Sequence, residues 1–184
     1  EWMNAERSRR MARRRGWQFI HDPARGYRRV VASPKPLAIL ELPLIRAMVA
    51  DGAIVVAGGG GGIPVAAVDG RFEGVPAVVD KDLTSALLAT GLGAARLFIV
   101  TGVAQVALDY GGPDERALGR LTVAEAAANL ARGQFPPGSM GPKIAAAIAF
   151  VESGAAVGAT ATITDIDHIA AAWRGEAGTQ VVAC

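Results

Sequence analysis

The sequence predicts an α/β protein: a mostly parallel open sheet with helices on both faces. Three observations carry this. Short apolar runs rich in β-branched residues alternate with helix-period segments over most of the 184 residues. Several of the helical segments begin or end on recognisable capping residues. Three of the apolar runs (53–56, 75–79 and 96–100) lead straight into polar or glycine-rich loops. Such loops, at the carboxyl ends of parallel strands, are where open sheets bind ligands.

Taken in order, Trp2–Arg15 reads as a helix rich in Arg, Met and Ala, closed by Gly16. Trp17–Ile20 and Tyr27–Ala32 read as short strands around a turn with Asp22-Pro23 and Gly26. Ser33-Pro34-Lys35-Pro36 is an extended connector, because two prolines so close cannot lie inside a helix. Glu41–Ala50 has helix period, with Leu44, Ala47 and Met48 on one face and Gly52 as its stop. Ala53–Val56 reads as a buried strand, followed by five consecutive glycines and Ile63-Pro64. Val65–Val68 and Val75–Val79 flank Asp69-Gly70 and suggest a small β-hairpin.

After Asp80-Lys81-Asp82, Leu83–Thr90 continues as a helix closed by Gly91, and Arg96–Val100 is a further buried strand. Thr122 with Glu125 forms the signature of a capping box opening Val123–Arg132. Gly133–Ser139 is a loop. Met140–Ser153 is a helix that tolerates Pro142 in its first turn. Ala159–Ile163 is a strand, Asp165–Trp173 a helix and Gln180–Val182 a last strand. No internal repeat is evident.

Composition narrows the class. Apolar residues make up 51%, which suits a packed core and excludes a disordered chain. No apolar run reaches the length of a membrane span, and no apolar segment follows the basic start as in a secretory signal. The single cysteine, Cys184, has no partner for an internal disulfide, which fits a reducing, cytoplasmic compartment. Charge is uneven: residues 1–36 hold ten Lys/Arg and three acids, and the remainder nine and fourteen. Six arginines lie between Arg7 and Arg15. No aromatic or nucleic-acid motif accompanies them, so a solvated helix face is favoured over a nucleic-acid arm. The first residue is Glu1 rather than Met, which suggests a fragment or a processed chain.

The chemistry gathers in few places. Gly58, Gly59, Gly60, Gly61 and Gly62 leave backbone N–H groups open to an anion, with no Cβ in the way. The run lacks the Lys-Ser/Thr ending of a P-loop, and it fails the dinucleotide fingerprint because Ile63 or Pro64 falls where the third glycine belongs. Asp80-Lys81-Asp82 places a lysine between two acids at a helix start. The acids favour that end of a helix; the lysine has no capping use and can hold a phosphoryl oxygen. Lys143 sits in the first turn of its helix, the wrong end for a cation, which suggests an anion between the two. His21 and His168 have no Cys or His at ligand spacing, so no metal ligand set is expected, and no nucleophile–base motif is evident.

These residues fall in one order. Tyr27-Arg28-Arg29-Val30-Val31 and Ser33-Pro34-Lys35-Pro36 come first, then the Gly58–Pro64 loop and Val79-Asp80-Lys81-Asp82. Thr101-Gly102-Val103 and Gly133-Gln134-Phe135 follow, leading to Gly138-Ser139-Met140-Gly141-Pro142-Lys143. Together they resemble the carbamate kinases, of the amino-acid kinase fold, nearly from end to end of the chain.

The resemblance implies reversible transfer of a phosphoryl group between ATP and carbamate, giving ADP and carbamoyl phosphate, with Mg2+. It implies that Lys143 stabilises the transferring phosphoryl group, that Lys81 contacts phosphate oxygens and that Asp82 holds the lysines. Gly58–Gly62 would line the phosphate and substrate region. Thr101, Gly102 and Val103, with Phe135, Gly138, Ser139 and Met140, would border the nucleotide. It further implies a place in arginine metabolism, a small-molecule substrate (carbamate or carbamoyl phosphate), a full-length homodimer, and neither nucleic acid nor membrane as partner.

The front of the chain departs from the pattern. The Gly-Gly-Asn loop and the Lys-Pro-Ile-Gly-Pro stretch of such enzymes are absent. The expectation is therefore a C-terminal portion: residues 1–36 as the remnant of a protruding subdomain and its connector, residues 37–184 as the nucleotide-binding part, inactive alone. Another kinase of the same fold, or a non-catalytic nucleotide-binding fragment or subunit, are the alternatives.

Overall fold

A computed structural model describes residues 2–184. The elements, in order, are β1 (Trp2–Met3), α1 (Ala5–Arg15), β2 (Gln18–Asp22), β3 (Gly26–Val30), α2 (Leu42–Ala50), β4 (Val65–Val68) and β5 (Arg71–Gly74). They continue with α3 (Lys81–Leu92), β6 (Arg96–Val100), β7 (Val106–Leu108), β8 (Arg116–Leu118), β9 (Arg120–Thr122) and α4 (Val123–Ala131). Last come α5 (Met140–Glu152), β10 (Thr160–Thr164), α6 (Ile169–Trp173) and β11 (Thr179–Val182). The chain forms two compact units. One comprises the residues up to Pro34 with Ile63–Val78, the other Lys35–Gly62 with Val79–Cys184.

In the smaller unit, β1, β3 and β2 make an antiparallel sheet in that order. Trp2 and Met3 pair with Arg28 and Tyr27, so the first helix starts at Ala5 rather than at Trp2. Asn4 takes the cap: its side-chain oxygen accepts from the Arg7 N–H at 2.9 Å. The arginines of β3 and its turn spread over tryptophans, Arg25 and Arg28 over Trp2 and Arg29 over Trp17 at 3.9 Å. β4 and β5 form the expected hairpin, but its returning arm is Arg71–Gly74 and not Val75–Val79. Asp69 and Gly70 both have positive φ, the two-residue turn that lets Val68 pair at once with Arg71.

The larger unit is the α/β body. Its sheet runs β6-β10-β11-β9, with β6/β10 and β11/β9 parallel and β10/β11 antiparallel. Leu97, Ile99, Ala161, Ile163 and Val181 face one side of the sheet and bury against Ile144, Ala147 and Phe150 of α5. Helices α3 and α4 flank α5 there. Strand alternation turns Phe98 to the opposite side, where it stacks on Trp173 of α6 with ring centroids 5.4 Å apart. Helices thus cover both faces, as expected. Phe150 and Ile144 are fully buried, each stabilising the body by roughly 1.5–3 kcal/mol through removal from water.

Several local expectations are corrected. Ala53–Val56 is not a strand: Ile54 is 98% and Val56 96% exposed, and among the described residues no strand pairs with this segment. β-branched residues favour an extended path, but only a neighbouring strand makes it a sheet member. α2 buries Ile45, while Leu44 and Met48 are largely exposed. Helix α3 runs through Gly91 and ends on Gly93, whose left-handed backbone makes the cap. Asp165–His168 is a capped turn, in which the Asp165 carboxylate accepts from the His168 N–H at 2.9 Å, so α6 is only Ile169–Trp173. Strands β7, β8 and β9 lie where no element was expected. The buried Thr179 hydroxyl ties them in, accepting from the Val106 N–H at 2.8 Å and donating to the Leu118 carbonyl. No helix of the described residues is long and apolar enough to cross a membrane.

Candidate active site

Two helix N-termini of the larger unit meet through a buried ion pair. Asp80 is the N-cap of α3, its carboxylate accepting from the Asp82 N–H at 2.8 Å and the Leu83 N–H at 3.3 Å. That cap fixes the first turn of α3 and leaves the Asp82 side chain to reach α5. There the Lys143 ammonium donates to Asp82 Oδ2 at 2.9 Å, with both residues less than a tenth exposed. Lys81 approaches the same oxygen at 3.7 Å from an exposed position. The anion expected against the misplaced cation Lys143 is, in the protein itself, Asp82. This one carboxylate therefore lies within ion-pair reach of two ammonium groups of different exposure.

The glycine run packs beside this pair. Gly61 N–H donates to the Gly58 carbonyl at 2.8 Å, closing a turn in which Gly58, Gly59, Gly61 and Gly62 all have positive φ. Gly61 is buried against the entry to α3: a Cβ there would lie 1.9 Å from the Val79 carbonyl oxygen, so no other residue fits. The Thr84 hydroxyl donates to the Gly61 carbonyl at 2.8 Å and locks the turn to α3. The expected strand before the glycines is absent, and the turn is held instead by its contacts with the entry to α3.

On the other side of the α5 N-terminus lies a cavity of about 270 Å3. Thr101, Gly102, Val103, Phe135, Ser139 and Met140, six of the residues expected to border a nucleotide, line it. Gly138 does not line it, and neither does the Gly58–Gly62 turn, which packs on the entry to α3. Lining residues that sequence reasoning missed are Gln105, Ala107, Tyr110, Gln134 and Pro136. Gln134 and Pro136 could have been found, since they stand in the Gly133–Ser139 loop with Phe135; Gln105, Ala107 and Tyr110 lie in or beside β7, a strand that went unread.

The cavity walls are anchored to the sheet. Thr101 N–H donates to the Thr164 carbonyl at 2.8 Å, extending the β6/β10 pairing by one residue into the loop. Gln134 and Asp109 clasp each other: Asp109 N–H donates to Gln134 Oε1 at 2.9 Å, and Gln134 Nε2 to Asp109 Oδ1 at 3.0 Å. Gly141 N–H donates to the Pro136 carbonyl at 2.9 Å. A Cβ on Gly141 would stand 3.1 Å from that oxygen, so the glycine lets α5 start tight against the Phe135-Pro136 wall. The outcome is an apolar chamber that opens beside a helix N-terminus, one helical turn from Lys143. Such a chamber suits a flat heterocycle, and the helix end with its lysines suits the phosphates attached to it.

Among the described residues no group of three or more His, Cys, Asp or Glu could hold a metal ion. Asp80 is committed to its cap and Asp82 to the lysines. Both carboxylates nearest the lysines are thus engaged within the protein.

Comparison with known proteins places the chain in a family. The amino acid kinase family matches residues 10–163. The carbamate kinase-like protein YahI of Escherichia coli K12 is 47% identical over 167 residues, covering 90% of this chain and 52% of its own length. The carbamate kinase of Thermococcus kodakarensis is 46% identical over 177 residues, covering 96% and 55%. Among solved structures, the carbamate kinase from Giardia lamblia bound to AMP-PNP superposes with a TM-score of 0.89 at 36% identity, covering 99% of this chain and 57% of that one. The chain thus spans about half the length of the curated relatives it matches.

Proposed function

Because this chain belongs to the amino acid kinase family, we propose that its larger unit is the nucleotide-binding portion of a carbamate kinase, moving a phosphoryl group reversibly between ATP and carbamate. The observation that carries this reading is the Asp82 carboxylate held between Lys143 and Lys81 at the paired N-termini of α3 and α5. Phosphoryl transfer needs little covalent chemistry from the protein. It needs the phosphates positioned and their charge neutralised.

In this reading the cavity bounded by Thr101, Gly102, Val103, Phe135, Ser139 and Met140 takes the nucleoside. The backbone at Gly58–Gly62 faces the phosphoryl and substrate region. Lys143 stabilises charge on the transferring group, Lys81 contacts phosphate oxygens, and Asp82 keeps both ammonium groups in place. The nucleotide's own phosphates would hold Mg2+, which would offset their charge. The substrate is carbamate in one direction and carbamoyl phosphate in the other. The resemblance to carbamate kinases also supports a homodimer working in arginine metabolism, and the lone Cys184 supports a cytosolic setting.

Calorimetric titration of the chain with ADP and Mg2+ tests this, alongside Lys143→Ala and Lys143→Arg. Saturable binding that Lys143→Ala weakens and Lys143→Arg partly restores is expected. Absence of ADP binding by the folded wild-type chain defeats the reading.

A further inference from the structure

The outer face of α1 carries a ridge of arginines for which the proposed kinase chemistry has no use. Its inner side is small and half-buried to buried, formed by Ala5, Ser8 and Ala12, with the Ser8 hydroxyl donating to the Ala5 carbonyl at 2.9 Å. The outer side exposes Arg9, Arg10, Arg13 and Arg14, which with Glu6 line a surface groove of about 350 Å3. Most other arginines of the fold have partners. Arg25, Arg28 and Arg29 lie over tryptophans, Arg96 donates to the Trp173 carbonyl, and Arg174 pairs with Glu176. Among the described residues no carboxylate pairs with Arg9, Arg10, Arg13 or Arg14.

Helix physics accounts for part of this. Arg13, Arg14 and Arg15 occupy the last turn, where the dipole favours cations. Arg9 and Arg10 are in mid-helix and draw no such benefit. They stand four residues before Arg13 and Arg14, the spacing at which like charges repel across one turn. The sequence thus sets two parallel rows of guanidinium groups against each other along a helix about 16 Å long. An anion lying between the rows removes the repulsion, and only one carrying several charges in line can meet both rows at once.

We propose that this groove binds linear inorganic polyphosphate. Planar guanidinium forks match phosphate oxygens two at a time, which an ammonium cannot do. All six basic residues of α1 are arginine. Nucleic acid fits less well: the outer face has no aromatic side chain for stacking bases, and Trp2 and Trp17 are already covered by arginines. A membrane surface fits less well again, because no apolar side chain stands on that face.

The test is titration of the full chain with inorganic tripolyphosphate, with a long polyphosphate, and with a single-stranded oligonucleotide of matched charge, across a range of salt. A second protein carries Arg9→Gln, Arg10→Gln, Arg13→Gln and Arg14→Gln, and a third has lysine at the same positions. Both replacements are good helix formers, so circular dichroism should show α1 retained. Polyphosphate affinity is expected to fall at least about tenfold in the glutamine variant, with a shallower salt dependence. The lysine variant should lie between, because charge remains and the fork is lost. Unchanged affinity in the glutamine variant overturns the site. Tighter binding of the oligonucleotide than of the polyphosphate overturns the choice of ligand.

Discussion

Lys143 and Asp82, 61 residues apart in sequence, meet at 2.9 Å with both side chains buried, each from the first turn of its helix. The arrangement reverses the usual logic of helix ends. Asp82 is favoured by the dipole of α3, whereas Lys143 opposes that of α5, and the pair resolves the conflict. Removing one partner strands the other without its strongest contact. Asp82→Ala is expected to destabilise the chain by about 3–5 kcal/mol, read from urea unfolding. Asp82→Leu combined with Lys143→Met should cost much less than the sum of the single changes. Additive costs would show that the two residues do not act as a pair.

The glycine turn offers a position-by-position contrast. Gly59→Ala meets open space and carries only the penalty of a left-handed backbone, on the order of 1–2 kcal/mol. Gly61→Ala drives a Cβ into the Val79 carbonyl and should shift the urea midpoint further than Gly59→Ala does. Equal effects at the two positions would mean that the turn is not packed on the entry to α3.

A side chain placed in the cavity should block it. Ala107 is buried and lines the chamber, so Ala107→Phe should reduce ADP affinity at least about tenfold if the nucleoside sits there. The melting temperature of this variant, measured in parallel, separates blockage from unfolding. Undiminished affinity in a folded Ala107→Phe protein would place the nucleotide elsewhere.

The capping box of α4 supplies a pH signature. The Glu125 carboxylate accepts from the Thr122 N–H at 2.8 Å and from its hydroxyl at 2.9 Å, and these bonds hold its pKa below the ordinary carboxylate value. A pKa lower in the folded state gives stability that is present above the unfolded value and is lost as pH falls through the folded one. The advantage of wild type over Glu125→Gln should therefore shrink on acidification through the carboxylate range. An advantage that grows toward acid would contradict the assignment. Thr122→Ala, which removes the side-chain cap, should cost about 1 kcal/mol at neutral pH.

Elements with strong local signals were legible in the sequence. The Thr122–Glu125 box, the Gly16 stop and the Asp69-Gly70 turn are set by side chains and backbone within four residues of each other, and they occur as read. Elements that depend on distant partners were not. β7 and β8 are three residues long, and a buried hydroxyl on Thr179 holds them to β11, some seventy residues from Val106. Periodicity over three residues carries no information. Ala53–Val56 failed the opposite way, since a sound local preference found no neighbouring strand. The lysines, the glycines and Asp82 were visible by type, position and resemblance, but the burial and close contact of Asp82 with Lys143 come from the approach of α3 to α5.

The exposed run Ala53–Ala57 also bears on how the protein behaves in solution. Ile54 and Val56 present β-branched side chains almost wholly to water, on a backbone that no strand covers among the described residues. Five apolar residues without charge or proline form the kind of segment that stacks on copies of itself. Its nearest gatekeeper upstream is Asp51, and downstream the glycine turn brings no charge. A charge placed in this stretch, as in Val56→Lys, is expected to reduce concentration-dependent self-association, read by light scattering, while leaving the sheet intact.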